Sequence, residues 1–144
     1  MIRPYALQEL LPHGPEFILV SEVVETGPTH GRVKALVRED WPLARDRRVD
    51  AILLVEVMAQ AAGTWIGSRR KARGEKVLAG FLVGIKEARF HRPFVKVGEE
   101  LAISLDLRTE RHNFTVVDGQ IISDGETVMD GLLQFATAES GDVF

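Results

Sequence analysis

Residues 50–74 read DAILLVEVMAQAAGTWIGSRRKARG, and this stretch decides the fold. No proline interrupts Ala51–Ala72, good helix formers dominate it, and β-branched residues thin out after Val57. Asp50 suits the N-cap, because its carboxylate can accept from the free N–H groups of a first helical turn. The far end, SRRKARG, is basic and meets Gly74. That complements the negative end of the helix dipole and supplies a stop residue. Apolar residues fill nearly every side of the segment, so the helix has to be buried. A membrane span is rejected: the apolar run Ala51–Ile66 has 16 residues and contains Glu56 and Gln60, whereas a span needs about 20 mostly apolar residues.

Outward from this helix the chain reads as strands. Tyr5–Leu11 could form one or two helical turns before Pro12. Phe17 to Thr26 is rich in β-branched and aromatic residues, Gly27-Pro28 signals a turn, and His30 to Arg38 reads as the hairpin partner. Glu39 to Asp50 is polar, contains Pro42 and the charged run Arg45–Arg48, and reads as a loop. Val77 to His91 reads as a strand, and Pro93 to Gly98 as a turn. Leu101, Ile103, Leu105 and Leu107 alternate with more polar residues as in a half-buried strand. Phe114–Ser123 and Thr127–Thr137 are the last two strands, divided by Asp124-Gly125. One helix is too few for a doubly wound sheet, and no second helix is available for a ferredoxin-like fold. The expectation is an α+β domain over residues 1–144, an antiparallel sheet wrapped around one long buried helix.

Composition narrows the function classes. The chain has 144 residues, 45% of them hydrophobic and 27% charged, which suits one globular domain and excludes a disordered protein. It has no cysteine, so disulfides, thiolate chemistry and Cys-based zinc sites are excluded. A net charge of −3 gives no overall basic field for nucleic acid. The N-terminus has no apolar run of signal-peptide type. The expectation is a soluble cytoplasmic protein with no membrane or nucleic-acid partner.

On a wheel of 3.6 residues per turn, Glu56, Gln60, Gly63 and Gly67 share one narrow stripe. An ionised carboxylate in an otherwise apolar segment must find a partner, stay protonated or line a wet cleft. Such groups are often acid–base catalysts, and they are also found as structural residues. In the structural reading Glu56 hydrogen-bonds Gln60 and caps a neighbouring loop. The glycines read as packing features. His91 alternates with Glu87 and Arg89 on a polar strand face, and His30 and His112 sit beside turns, so all three read as surface residues. No pair of histidines has metal-ligand spacing, and neither a metal nor another cofactor is expected. Residues 45–76 hold eight Lys/Arg against four Asp/Glu, so the remainder carries −7. Arg45, Arg47, Arg48, Arg69, Arg70, Lys71 and Arg73 flank both ends of the helix. Such a rim suits an acidic carrier protein or the phosphates of CoA, or else is a solvated face that complements the dipole.

Three motifs in order then resemble a known family. Leu11-Pro12-His13 followed by Phe17-Ile18-Leu19-Val20 resembles the opening of FabZ-type 3-hydroxyacyl-ACP dehydratases. Glu56-Val57-Met58-Ala59-Gln60-Ala61 resembles their "EALAQ" helix. Phe81-Leu82-Val83-Gly84-Ile85, then Arg89-Phe90-His91-Arg92-Pro93 and Gly98-Glu99, resembles their "FAGI…ARFRRPVxPGD" strand and turn. Trp65, Gly67, the basic end Arg69–Glu75 and Gly80–Gly84 more closely resemble the dehydratase subunits of aryl-polyene-type gene clusters.

The resemblance implies a hotdog fold, a dimer or higher assembly paired through the strand around Gly80–Ile85, and an acyl-thioester substrate on ACP or CoA. It implies Glu56 as the acid that protonates the leaving hydroxyl, lining a tunnel between subunits. It places Gln60, Ala51, Ile52, Gly84 and His13 beside the substrate, and Arg45, Arg48, Arg69, Arg70 and Arg73 beside the carrier. The family's catalytic histidine falls at Pro42, and its helix-opening glycine, whose N–H polarises the thioester carbonyl, falls at Ala51. The acid is present and the base is missing. The resemblance therefore implies a dehydratase that works as a homo-oligomer or as a hetero-dimer with a second hotdog subunit that brings the histidine. A thioesterase and a non-catalytic acyl-binding subunit remain as alternatives.

Overall fold

A computed structural model describes residues 18–75, 79–112 and 114–138. The strands are β1 (Glu22–Thr26), β2 (His30–Leu36), β3 (Ala44–Arg45), β4 (Arg48–Asp50), β5 (Ala79–Phe90), β6 (Phe94–Lys96), β7 (Glu100–Arg111), β8 (Phe114–Ser123) and β9 (Glu126–Ala138). A 3-10 turn (Ala51–Leu53) leads into the single long helix α1 (Leu54–Ala72). Six strands form one antiparallel sheet in the order β1-β2-β7-β8-β9-β5, and β3-β4-β6 form a small second sheet. The sheet wraps the helix as the hotdog reading requires.

Local chemistry accounts for both helix ends. Asp50 Oδ1 accepts from the Ile52 N–H at 2.9 Å, so the cap sits on the 3-10 turn, and α1 starts at Leu54. At the other end Gly74 takes φ +76°, Gly74 N donates to Lys71 O at 3.0 Å, and Glu75 N donates to Arg70 O at 2.9 Å. This pair of bonds is the Schellman stop that the glycine permits. Leu54, Val57, Met58, Ala61, Ala62 and Trp65 are fully buried against the concave face of the sheet. Two glycines set the distance: a Cβ on Gly31 of β2 would lie 2.4 Å from the Trp65 ring, and one on Gly119 of β8 would lie 2.7 Å from Met58 Sδ. The Trp65 indole N–H donates to Gly27 O at 3.2 Å, which satisfies its polar edge.

Several expectations need correction. The expected burial of the helix holds at Leu54, Met58 and Trp65, but Ile52 just ahead of it is 56% exposed and Val55, Glu56, Ala59 and Gly63 are only partly buried. The strand expected from Phe17 begins only at Glu22, although Ile18, Leu19 and Val20 before it are buried. The Glu39–Asp50 loop contains the β3–β4 hairpin, and the Pro93–Gly98 turn contains β6. These pieces have two or three residues each, too short to carry a periodic pattern. The expected turns at Tyr5–Leu11, and His13, lie outside the described residues.

The turn from β5 to β7 is closed by a charged clamp. Glu99 accepts from Arg92 Nη1 at 2.9 Å and Nη2 at 2.6 Å, from Ser123 Oγ at 2.6 Å and from Lys96 N at 2.8 Å. These donors, the Arg92 hydrogen bond foremost, hold the Glu99 carboxyl down at about 2. The folded pKa lies below the unfolded one, so the clamp stabilises fully above about pH 4.5 and is lost as pH falls towards 2. We expect Glu99→Gln to lower stability by about 2 kcal/mol at neutral pH. The deficit against wild type should shrink below pH 4 in denaturant titrations. An equal deficit at pH 7 and pH 2.5 would contradict the clamp.

Candidate functional site

Two incompletely covered surfaces meet beside the helix. The half-exposed residues of the helical stretch, Glu56, Ala59 and Gly63, recur at spacings of three and four and so share a stripe, with Val55 at its edge. The second surface is the inner face of β5, the last strand of the sheet, which touches α1. Register decides which β5 residues face inward. Leu82, Ile85, Ala88 and Phe90 pair with Phe135, Leu133, Gly131 and Met129, the inward-facing residues of β9. Yet Leu82, Ile85 and Phe90 are 38%, 46% and 39% exposed. An apolar face on the helix side of the sheet thus remains open, bordered by a helix stripe that carries one carboxylate.

Glu56 is oriented by Gln60. The Gln60 amide is 2% exposed; its Oε1 accepts from the Leu19 N–H at 2.7 Å, and its Nε2 donates to Glu56 Oε1 at 3.2 Å. The expected hydrogen bond between Glu56 and Gln60 therefore exists, and Gln60 also holds the neighbouring segment through Leu19. Thr64 Oγ1 donates to Gln60 O at 2.7 Å and adds a bond one turn on.

Other assignments are redistributed. The Ala51 N–H, expected to face a thioester carbonyl, donates to Pro93 O at 3.0 Å. The backbone pairing of β4 with β6 continues into the helix and engages it. Gly84 sits between two bulges of β5, and a Cβ there would lie 2.5 Å from Gln134 Oε1, on the outer side of the sheet. Pro42 is exposed, beside buried Trp41. Leu43 follows at φ +65°, with Asp46 at +52° and Arg47 at +61°. A bulky side chain held in the left-handed region costs about 1–2 kcal/mol.

The basic rim divides into two groups at opposite ends of α1, separated by about 28 Å of helix. Arg69 does not belong to a solvent-facing rim. It is 7% exposed, forms a two-pronged pair with Glu110 at 2.8 and 3.2 Å, and lies 5.1 Å from the Trp65 ring centre. The Arg69 hydrogen bond is the main reason the Glu110 carboxyl is held below its usual range. Arg73 lies within 3.9 Å of Glu110 and 3.2 Å of Glu75, and Arg70 within 3.6 Å of Glu75. At the other end, Arg45 and Arg48 line an open cleft of about 710 Å³ with Leu43, Ile52, Pro93 and Phe94.

Two histidines have partners that the sequence reading missed. His91 Nε2 lies 2.6 Å from Asp130 Oδ2, and Arg89 Nε donates to the other carboxylate oxygen, Oδ1, at 2.8 Å. His30 Nδ1 lies 2.9 Å from Asp106 Oδ1. Asp130 and Asp106 alternate with inward-facing residues, so both pairs lie on the outer face of the sheet, away from the helix. Among the described residues no cluster of His, Asp and Glu could hold a metal.

A family model for the ApeP dehydratase matches residues 5–143. The chain belongs to the ApeP-like dehydratase family. It is 32% identical to the 3-hydroxyacyl-[acyl-carrier-protein] dehydratase FabZ of Anaeromyxobacter dehalogenans over 133 residues, which cover 83% of this chain and 84% of that protein. Among solved structures, the dehydratase heterocomplex ApeI:P from Xenorhabdus doucetiae matches with a TM-score of 0.87 and 27% identity, covering 95% of this chain and 93% of that one. A hypothetical thioesterase from Streptococcus pneumoniae with coenzyme A matches at 16% identity and a TM-score of 0.65, covering 81% of this chain and 87% of that one, and shares the fold. Glu56 and Gln60, four residues apart on the helix, are joined with Leu19 in one chain of bonds.

We expect Gln60→Leu to leave the Leu19 N–H without an acceptor and to cost about 1–3 kcal/mol. Thermal melts should also show the variant less stable than Glu56→Gln, which leaves the Leu19 bond in place. Equal stability of the two variants would mean that the Leu19 bond contributes nothing.

Proposed function

We propose that this protein is one subunit of a 3-hydroxyacyl-thioester dehydratase in fatty-acid or polyketide-type biosynthesis, acting in the cytoplasm with a second hotdog subunit. The observation that carries the proposal is Glu56, held by Gln60 on the helix stripe that borders the open apolar face of β5. In the reaction a base removes the proton from the α-carbon. The electron pair forms the new α,β double bond, the β-hydroxyl leaves, and Glu56 gives it the proton that makes it water. The partner's histidine takes the α-proton, since Pro42 stands where the family motif has that residue. The acyl chain lies along Leu82, Ile85 and Ile52, apolar surface that a partner subunit then seals from water. His13 joins the substrate contacts on the strength of the motif, whereas Gly84 faces the outer side of the sheet and shapes β5 between its two bulges. The carrier is an acyl carrier protein or CoA, met by the arginines around the helix.

Support for a two-chain enzyme is of two kinds. The Xenorhabdus relative is part of a dehydratase heterocomplex, ApeI:P. Of the described histidines in this chain, His30 and His91 are paired on the outer side of the sheet, away from Glu56, and His112 is exposed in the turn between β7 and β8.

The test is dehydration of a 3-hydroxyacyl thioester by the purified protein, by its hotdog partner and by both together. We expect little turnover from this chain alone and ordinary turnover from the pair. In the pair Glu56→Gln should lower the rate by about 10²–10⁴-fold. Full activity of the homo-oligomer, or an active pair indifferent to Glu56→Gln, would overturn the proposal. Hydrolysis of the thioester that vanishes in Glu56→Gln would establish a thioesterase instead.

A further inference from the structure

Dehydration of a thioester needs a third group besides its base and its acid. As the α-proton leaves, negative charge gathers on the carbonyl oxygen, and a hydrogen-bond donor has to stand there. Free N–H groups at the start of a helix supply such a donor readily. In this chain the start of the helix is closed instead. Ala51 N donates to Pro93 O at 3.0 Å, and Ile52 N donates to Asp50 Oδ1 at 2.9 Å. Leu54 N donates to Ala51 O and Ile52 O, within the 3-10 turn itself.

The closure is enforced from the core. β4 and β6 pair Val49 with Val95 and Asp50 with Phe94, and the next step along the ladder brings Ala51 to Pro93. Val49, Val95 and Leu54 are fully buried, and Ala51 is buried with them. A slip of register that freed the Ala51 N–H would turn these side chains out of the core. Proline has no N–H to offer in return, so the bond from Ala51 is the one this step of the ladder can make. Asp50 closes the second position by charge as well as by occupancy. A carboxylate standing on the Ile52 N–H repels the negative charge that the reaction builds on a carbonyl oxygen.

We infer that this chain gives an acid to one reaction centre and is unable to host the complementary one, so that a pair with its hotdog partner has a single working centre. The inference rests on the dehydratase reading and deepens it. Two chains of one fold that join through the same strand are related by a near two-fold axis, and any site built from the helix start of one and the acid of the other then occurs twice. In one copy the partner brings the base and the carbonyl donor, and Glu56 brings the proton. In the other copy this chain would have to bring both base and donor. It has Pro42, which carries no titratable group, and N–H groups that are already bonded.

The test uses the complex with a hotdog partner that has a carboxylate of its own at the helix position matching Glu56, and follows turnover of a 3-hydroxyacyl thioester. With one centre, Glu56→Gln should cost at least about 100-fold. Two working centres would leave about half the rate, and that result would overturn the inference. Replacing the partner's carboxylate by its amide should leave the rate unchanged, and a halved rate there would overturn it equally. Pro42→His, added to Glu56→Gln, returns a base to the silent position. The rate should stay down by about 100-fold, because the donor is still missing; recovery to within about tenfold of the unsubstituted pair would overturn the inference. Closure is also read without turnover, by hydrogen exchange of the Ala51 and Ile52 amides in the complex, with and without a saturating amide analogue of the thioester. Slow exchange at Ala51 that the analogue leaves unchanged is expected, with no added protection at Ile52. Protection that appears at either amide only with the analogue would overturn the closure. A pair that does not dehydrate, with both amides indifferent to the analogue, removes the dehydratase reading and leaves the closed helix start standing. A dehydrating pair whose analogue protects either amide does the reverse.

Discussion

The buried amide of Gln60 has two ends that cannot be exchanged. Its oxygen takes the N–H of Leu19 and its nitrogen reaches Glu56. Turned over, it would set two donors against each other at one end and two acceptors at the other, and burial of such mismatches is costly. The bond to Leu19 draws the Ile18–Val20 segment into the core beside the helix. The bond to Glu56 fixes where the single carboxylate of the stripe stands. Segment, helix and candidate acid all meet at this side chain.

Around that centre the molecule is built with one side unfinished. The sheet covers α1 closely where Gly31 and Gly119 admit Trp65 and Met58. On the β5 side cover is partial, and apolar side chains that belong to the inner face reach solvent. Glu56 stands on that side. In the proposed reading Glu56 acts as an acid on an apolar acyl chain, which needs a site that excludes water, and this chain would supply part of its wall. The rest fits a second subunit better than a loop of the same chain, because the open surface includes the edge of a long strand.

The helix was legible because its ends obey local rules: Asp50 caps, Gly74 stops, and both do so through backbone N–H bonds that the residue type makes possible. The sheet was legible where strands alternate strictly, as from Leu101 to Leu107. It was less so at β3, β4 and β6, which depend on one another rather than on their own composition. The family motifs pointed to Glu56 and Gln60 but not to the geometry between them. Ala51 and Arg69 were misassigned for different reasons. The Ala51 N–H is engaged by Pro93, a contact across 42 positions that no local pattern announces. Arg69 carried a usable signal, since it follows Trp65 by four residues and therefore shares the face that the sheet covers. The Arg92–Glu99 clamp was invisible because its third member, Ser123, comes from another strand.

The irregular pairing of β5 has a consequence for solubility. Val83 and Lys86 are each an extra residue against β9. The inward positions Leu82, Ile85 and Ala88 are therefore spaced by three instead of two. A straight apolar edge strand of twelve residues would recruit any extended chain and grow into fibrils. Two bulges increase the local twist and interrupt the even row of N–H and C=O groups. Only a strand coiled to match can add to such an edge. The distortion works against unspecific addition of extended chains along this edge.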